Sequence, residues 1–95
     1  MKIMILINEA PYGGEKAYNA LRLANQLGKD HPTIEVRIFL MADAANCALG
    51  NQNTPNGYYN IERMLKLALS KEAKVKICGS CAETRGLKNA SLIEG

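Results

Sequence analysis

The sequence predicts an α/β fold in which a parallel sheet is flanked by helices. Three observations predict it. Short apolar runs recur at 2–8, 34–41 and 74–78. Between and after them lie segments whose apolar residues return every three or four positions, the period of a helix with one buried face. The two kinds alternate along the chain. Parallel strands demand such alternation, because each needs a crossover connection before the next.

The elements follow in order. KIMILIN (2–8) is a continuous run rich in isoleucine, as a strand covered on both faces would be. In EAPYGGEK, Pro11 and the Gly13-Gly14 pair mark a turn. From Glu15 to about Lys29, Ala17, Leu21, Ala24 and Leu27 form one face of an amphipathic helix, ended by Gly28 or by His31-Pro32 just after. IEVRIFLM (34–41) is a second strand, and its alternating first half points to an exposed edge or end. Residues 42–60 show little periodicity and are dense in Asn, Gly and Pro from 50 onward, which predicts a long loop of the functional or mobile kind. Asn60 then caps a second helix with the stripe Ile61, Met64, Leu65, Ala68 and Leu69. KVKIC (74–78) is a third, short strand. SCAETR begins a third helix, with Ser80 as N-cap, Glu83 completing a capping box and Gly86 closing it. The tail LKNASLIEG adds no element. Three strands are few, so a neighbour completes the sheet or the chain stops before its last strand.

Ninety-five residues make one domain's worth of chain, and 47% hydrophobic with 22% charged residues is globular composition. The net charge of +3 is spread along the chain without aromatic-basic interleaving, which argues against a nucleic-acid partner. No run approaches the ~20 apolar residues that span a bilayer, and 3–7 is too short for a signal peptide's apolar core. Three cysteines, an odd number, without an export signal point to free thiols in a reducing cytoplasm.

Ligands of open parallel sheets bind beyond the carboxyl ends of the strands. That rule gathers 10–14, 42–47 and 78–81 at one rim, and with them the cysteines of Cys78-Gly79-Ser80-Cys81. A thiolate is the reactive form of cysteine, and amides at a helix start lower its pKa from the free value of about 8.5. A fall to about 7 would raise the thiolate share at neutral pH from a few per cent to about half. Cys78, just before the helix, is the candidate nucleophile, with Cys81 as its possible resolving partner and Arg85 adding positive field. The competing reading is a pair of small buried hydrophobes. Tyr12, Gly13, Gly14, Asp43 and Arg85 are the candidate substrate-binding residues at the same rim. Asp43 and Glu83 are lone acids, more readily a cap or a solvated charge than an acid/base pair.

Other chemistries fit less well. A structural zinc site needs four Cys or His ligands, and only Cys47 and His31 remain, with His31 at the opposite rim, so no metal site is expected. Gly13-Gly14 precede a helix, but GGEK lacks the GK[ST] of a phosphate loop and Glu15 would repel an anion. A glycine turn is the simpler reading. Tyr58-Tyr59 pack at a helix start, or serve a subunit contact if exposed.

The ordered strings NEAPYGGEKAYNALRLANQL, RIFLMADA, GYYNIERML, VKICGSCAETRGL and LIEG resemble the DsrE/DsrF family, and within it the small YchN-like branch. The resemblance implies a three-layer α/β/α sandwich with a mostly parallel sheet. It implies homo-oligomers, trimers or hexamers, with cysteine sites near subunit contacts. It also implies sulfur relay as a cysteine persulfide. The carrier cysteine of such relatives stands at a strand end, a fixed distance before an Arg-Gly pair, and that pattern falls on Cys78 with Arg85-Gly86. Cys81 belongs to the YchN-like branch and not generally to the carriers. Family members continue beyond LIEG with another helix and strand, so this sheet is expected to lack an edge.

The expectation is therefore a cytoplasmic sulfur-handling protein with sulfur donor and acceptor partners. Cys78 takes a sulfur atom by thiol exchange, with no metal or organic cofactor. Two alternatives stand beside it. One is a dithiol oxidoreductase cycling Cys78 and Cys81. The other is a ligand-binding oligomer whose 42–60 loop grips a small molecule.

Overall fold

Strands β1 (Lys2–Ile7), β2 (Glu35–Leu40) and β3 (Lys74–Ile77) pair in parallel in that order in the computed structural model, which describes residues 1–87 and 90–93. Helix α1 (Lys16–Asp30) joins the first two strands, α2 (Ile61–Ser70) the second and third, and α3 (Gly79–Thr84) leaves the third. The α/β class with a parallel sheet is thus the observed one.

Period-two alternation sorts each strand's side chains. One face of the sheet contributes Ile7, Val36, Ile38 and Leu40, which are buried against Ala17, Leu21 and Ala24 of α1 and Ile61, Leu65 and Ala68 of α2. Helices and sheet share one apolar cluster, so α1 and α2 form a single layer. Two successive crossovers of the same hand place their helices on the same side.

The opposite face differs from what the apolar run at 2–8 predicts. β1 is covered on one face only among the described residues: Met4 is 62% exposed and Leu6 51%. Register sets Met4 beside Arg37 and Lys74, and Leu6 beside Phe39 and Lys76. Strand β2 is central, not an edge. Its charged residues alternate onto the open face, where Glu35 binds both Arg37 and Lys74. A strand inside a sheet with one bare face carries the same alternation as an edge, which is why the pattern misleads.

Further corrections concern helix ends and the long connection. Of the two ends expected for α1, Gly28 lies inside the helix and His31-Pro32 is where it stops: the helix runs to Asp30, His31 is its C-cap, and the His31 amide donates to Leu27 O. Asn60 caps α2 as predicted, its Oδ1 accepting from the Arg63 amide at 3.0 Å. Residues 42–60 are not a free loop. A 3-10 helix (Ala42–Ala48) buries Ala44, Ala45, Cys47 and Ala48. Beyond it Gln52 is tied to five residues: Nε2 donates to Cys47 O and Leu49 O, its amide to Glu62 Oε1 at 2.7 Å, its Oε1 accepts from Tyr12 Oη at 2.6 Å, and its carbonyl accepts from Asn60 Nδ2 at 3.3 Å. Small alanines carry no helical stripe, so the sequence hides this element. The tail also contributes, since Leu92 bridges to Leu49 and the Gly50 amide donates to Ser91 O at 2.8 Å.

Tyr12 fastens this connection to α2, because its hydroxyl also accepts from the Ile61 amide at 2.9 Å. Tyr12→Phe leaves that buried Ile61 donor without a partner, while Gln52 Oε1 keeps the Glu62 amide at 3.2 Å. A loss of about 1–3 kcal/mol is expected, read as a lower urea midpoint at unchanged slope.

Candidate functional site

The turn from β3 into α3 builds the centre of the rim. Cys78 is the N-cap of α3, and its own amide is pinned to β2 by a 2.8 Å bond to Leu40 O. The helix starts at Gly79, two residues before the Ser80-capped start that the sequence suggests. No side chain caps it, and the Ser80–Glu83 capping box is not formed. Strand pairing holds the chain up to Cys78, so the first helical turn begins directly from the sheet. Gly86 does close the helix, at φ +69°, with the Leu87 amide returning to Ala82 O.

This geometry lowers the Cys78 pKa below the ordinary thiol value. A hydrogen bond from the Cys81 side chain acts most, then the Cys81 amide; partial burial opposes, and the Ser80 amide and the Arg85 charge add to the lowering. At six residues α3 is too short for its whole dipole to matter much. The individual amides and the neighbouring thiol produce the effect.

Cys81 faces the 3-10 helix. Its Sγ accepts from the Ala42 amide at 3.1 Å. Ala42 holds φ +51°, a left-handed conformation that costs a non-glycine residue about 1–3 kcal/mol and is concentrated at functional sites. Arg85 Nε donates to Asp43 Oδ1 at 2.9 Å and Nη1 to Cys81 O at 3.1 Å. Arg85 and Asp43 therefore bind each other and clamp α3 to the 3-10 helix.

The remaining candidates form a neighbouring recess of about 360 Å3. Asn8, Glu9, Ala10, Tyr12, Gly13, Gly14 and Asp43 line it. Gly13 sits at φ +98°, a conformation that needs glycine. Asp43 thus borders both the recess and, through Arg85, the cysteine turn. Tyr12 stacks with Tyr59 at a centroid distance of 5.8 Å, and Tyr58 with Tyr59 at 4.5 Å, so the tyrosines form one packed group. Sequence reasoning missed Ala42 and Gln52. A backbone amide aimed at a sulfur leaves no mark on residue type, and a lone Gln in a polar stretch looks solvated.

Cys47 lies apart from this chemistry. It is fully buried, and burial pushes its thiol up to about 12. Below its ordinary value of 9.0 both folded and unfolded chains keep the proton. Between that value and about 12 only the folded chain keeps it, so the thiol makes stability fall as pH rises, by about 1.4 kcal/mol per unit. Urea midpoints across this range should fall less steeply in Cys47→Ala. Among the described residues, no three His, Cys, Asp or Glu side chains are grouped closely enough to hold a metal, and no helix is long and apolar enough to cross a membrane.

Comparison with known proteins decides the family. The model of the DsrE/DsrF-like family matches residues 1–95. The chain belongs to the DsrE/DsrF-like family. It is 40% identical over 94 residues to Protein YchN of Escherichia coli K12, covering 99% of this chain and 80% of that one. It is 46% identical over 95 residues to protein MJ0989 of Methanocaldococcus jannaschii, covering 100% and 81%. The crystal structure of E. coli YchN superposes with a TM-score of 0.93 at 40% identity, over 99% of this chain and 80% of that one. The DsrE/DsrF-like family is linked to sulfur relay. In this DsrE-like chain the parallel sheet and its helix layer are the frame that brings Cys78, Cys81, Asp43 and Arg85 to one rim.

Proposed function

We propose that this protein carries sulfur as a persulfide on Cys78. The observation that supports this most is the position of the Cys78 sulfur. It is half-exposed at a strand end, with amide, thiol and guanidinium groups all favouring its thiolate.

The reaction is redox-neutral thiol exchange. The Cys78 thiolate attacks the outer sulfur of a donor persulfide. A bond forms between the two sulfurs, the donor's own sulfur–sulfur bond breaks, and the donor leaves as a thiolate. An acceptor thiolate then attacks the outer sulfur on Cys78 and regenerates the Cys78 thiolate. Neither step needs a metal, an organic cofactor or an oxidant. The recess beside Asp43 receives the part of the donor next to its sulfur, with Tyr12, Gly13 and Gly14 as its wall and Arg85 holding Asp43 in place. The carrier works in a reducing cytoplasm as a homo-oligomer of three or six copies.

Intact mass after incubation with a persulfide donor is the direct test. A gain of one sulfur atom, removed by a reducing agent, supports the carrier. No gain, with the fold intact, refutes it.

The placement of Cys78 at the N-cap and Cys81 in the first turn of α3 favours a second reading, a dithiol oxidoreductase. That reaction requires both thiols in every turnover, so Cys81→Ser separates the two. A carrier still accepts sulfur in that variant; an oxidoreductase is inactive.

A further inference from the structure

We infer that the tail segment 91–93 is a latch that positions Cys78, by tying the end of the 3-10 helix to the end of β3 beside the cysteine turn. The inference rests on the reading of Cys78 as the nucleophile. It gives a part in the chemistry to a tail whose sequence announces no element.

The segment runs antiparallel to the exit of the 3-10 helix. The Gly50 amide donates to Ser91 O and the Ile93 amide to Ala48 O, both at 2.8 Å, with Leu92 bridged to Leu49 between them. Gly50 makes this approach possible. Its backbone is not left-handed, so no turn calls for glycine there. A Cβ on it would instead stand 3.3 Å from Ser91 O and 3.9 Å from the Leu92 carbonyl carbon. The first of these is tighter than ordinary contact, so glycine marks a place where a second backbone comes close.

Ile93 joins the core. It lines a hollow of about 60 Å3 together with Ala48, Leu65 and Leu69 of α2, and Val75 and Ile77 of β3. Ile77 is the last residue of β3 and immediately precedes Cys78. One side chain therefore stands where the 3-10 helix, α2 and the end of β3 meet. On the other flank of the turn, Cys81 and Arg85 hold α3 to the first residues of the same 3-10 helix, through the Ala42 amide and Asp43. The 3-10 helix is thus gripped at both ends, by α3 at Ala42 and Asp43 and by the tail at Ala48 and Gly50.

Strand β3 has four residues and pairs with β2 alone among the described residues, so Ile93 adds a second hold on its end. Two backbone bonds and one partly buried isoleucine make a small unit, of the kind that opens locally while the rest stays folded. Closed, the latch fixes the direction in which Cys78 leaves the sheet. Open, it lets the end of β3 and α3 shift together against the 3-10 helix.

The test joins hydrogen exchange at the Gly50 and Ile93 amides, read by NMR, to the pH profile of Cys78 alkylation by iodoacetamide, read by peptide mass on the folded protein. Gly50→Val pushes the tail away, and Ile93→Ala removes its anchor. Both variants should lose protection at the two amides. Both should also slow Cys78 alkylation at neutral pH several-fold, with the profile moving toward that of a cysteine in an unfolded peptide. Ile93→Val, which keeps most of the anchor, should match the wild type. Leu21→Ala destabilises the core far from the tail and should leave the Cys78 profile alone. Lost protection with an unchanged profile makes the tail structural only and overturns the proposal. Retained protection in both variants overturns it too, because other contacts then hold the tail. Equal slowing in Leu21→Ala does the same, since general stability then accounts for the effect. Alkylation needs no sulfur donor, so the carrier is scored separately. A wild type that takes up no sulfur refutes the carrier and leaves the latch standing; uptake with unchanged alkylation in both tail variants does the reverse.

Discussion

Cys78→Ser should abolish the gain of sulfur from a persulfide donor altogether. Serine keeps the size and the capping position of residue 78, and the residue's amide can still bind Leu40 O. The fold has no reason to change. A hydroxyl, however, is not ionised near neutral pH and cannot exchange with a sulfur–sulfur bond, so intact mass should show no adduct. Of the other two cysteines, Cys47 is walled in and its thiol raised to about 12, so it cannot substitute. Cys47→Ala should load sulfur as the wild type does. Retained loading in Cys78→Ser would move the chemistry to Cys81 and undo the assignment.

The second large effect lies in the core and reaches the site through β2. Leu40 is fully buried, and its carbonyl holds the amide of Cys78. Leu40→Ala should cost about 2–5 kcal/mol, from lost transfer energy and the cavity left behind. Small domains are stable by only about 5–15 kcal/mol, so this is a large fraction of the total. The urea midpoint should fall accordingly. In the fraction that remains folded, the strand end that carries Cys78 should loosen, and Cys78 alkylation should lose part of its low-pH reactivity. Leu21→Ala, equally buried on α1 but without a bond to the rim, should lower the midpoint comparably and leave Cys78 reactivity alone.

How much of this was legible follows from which physics residue types record. The isoleucine runs and the stripe Ala17, Leu21, Ala24 announced strands and helix because burial selects apolar side chains with the element's own period. Parallel order follows from alternation, and the rim from parallel order, so the sequence alone places Cys78 at a strand end. The open face of β1 was not legible, since Met4 and Leu6 look the same whether covered or bare. Ser80 has the chemistry of a cap, but strand pairing at Cys78 decided where the helix begins. The 3-10 helix escaped because Ala44, Ala45 and Ala48 fill space without announcing a period. The Arg85–Asp43 clamp joins positions distant in sequence, and only the fold brings them together. Arg85 was legible as a charge near the thiol, while its bond to Cys81 O was not. Ala42, the residue that aims a donor at Cys81, is recorded only in a backbone angle.

The reactivity of one sulfur underlies every functional statement made for this protein. Its most direct measure is the alkylation rate of Cys78 in the folded wild type, followed from about pH 5 to 9 and resolved by peptide mass. A midpoint clearly below the free thiol value of about 8.5 is the predicted result. A midpoint at or above that value, with Cys78 no faster than a cysteine in an unfolded peptide, would contradict the account.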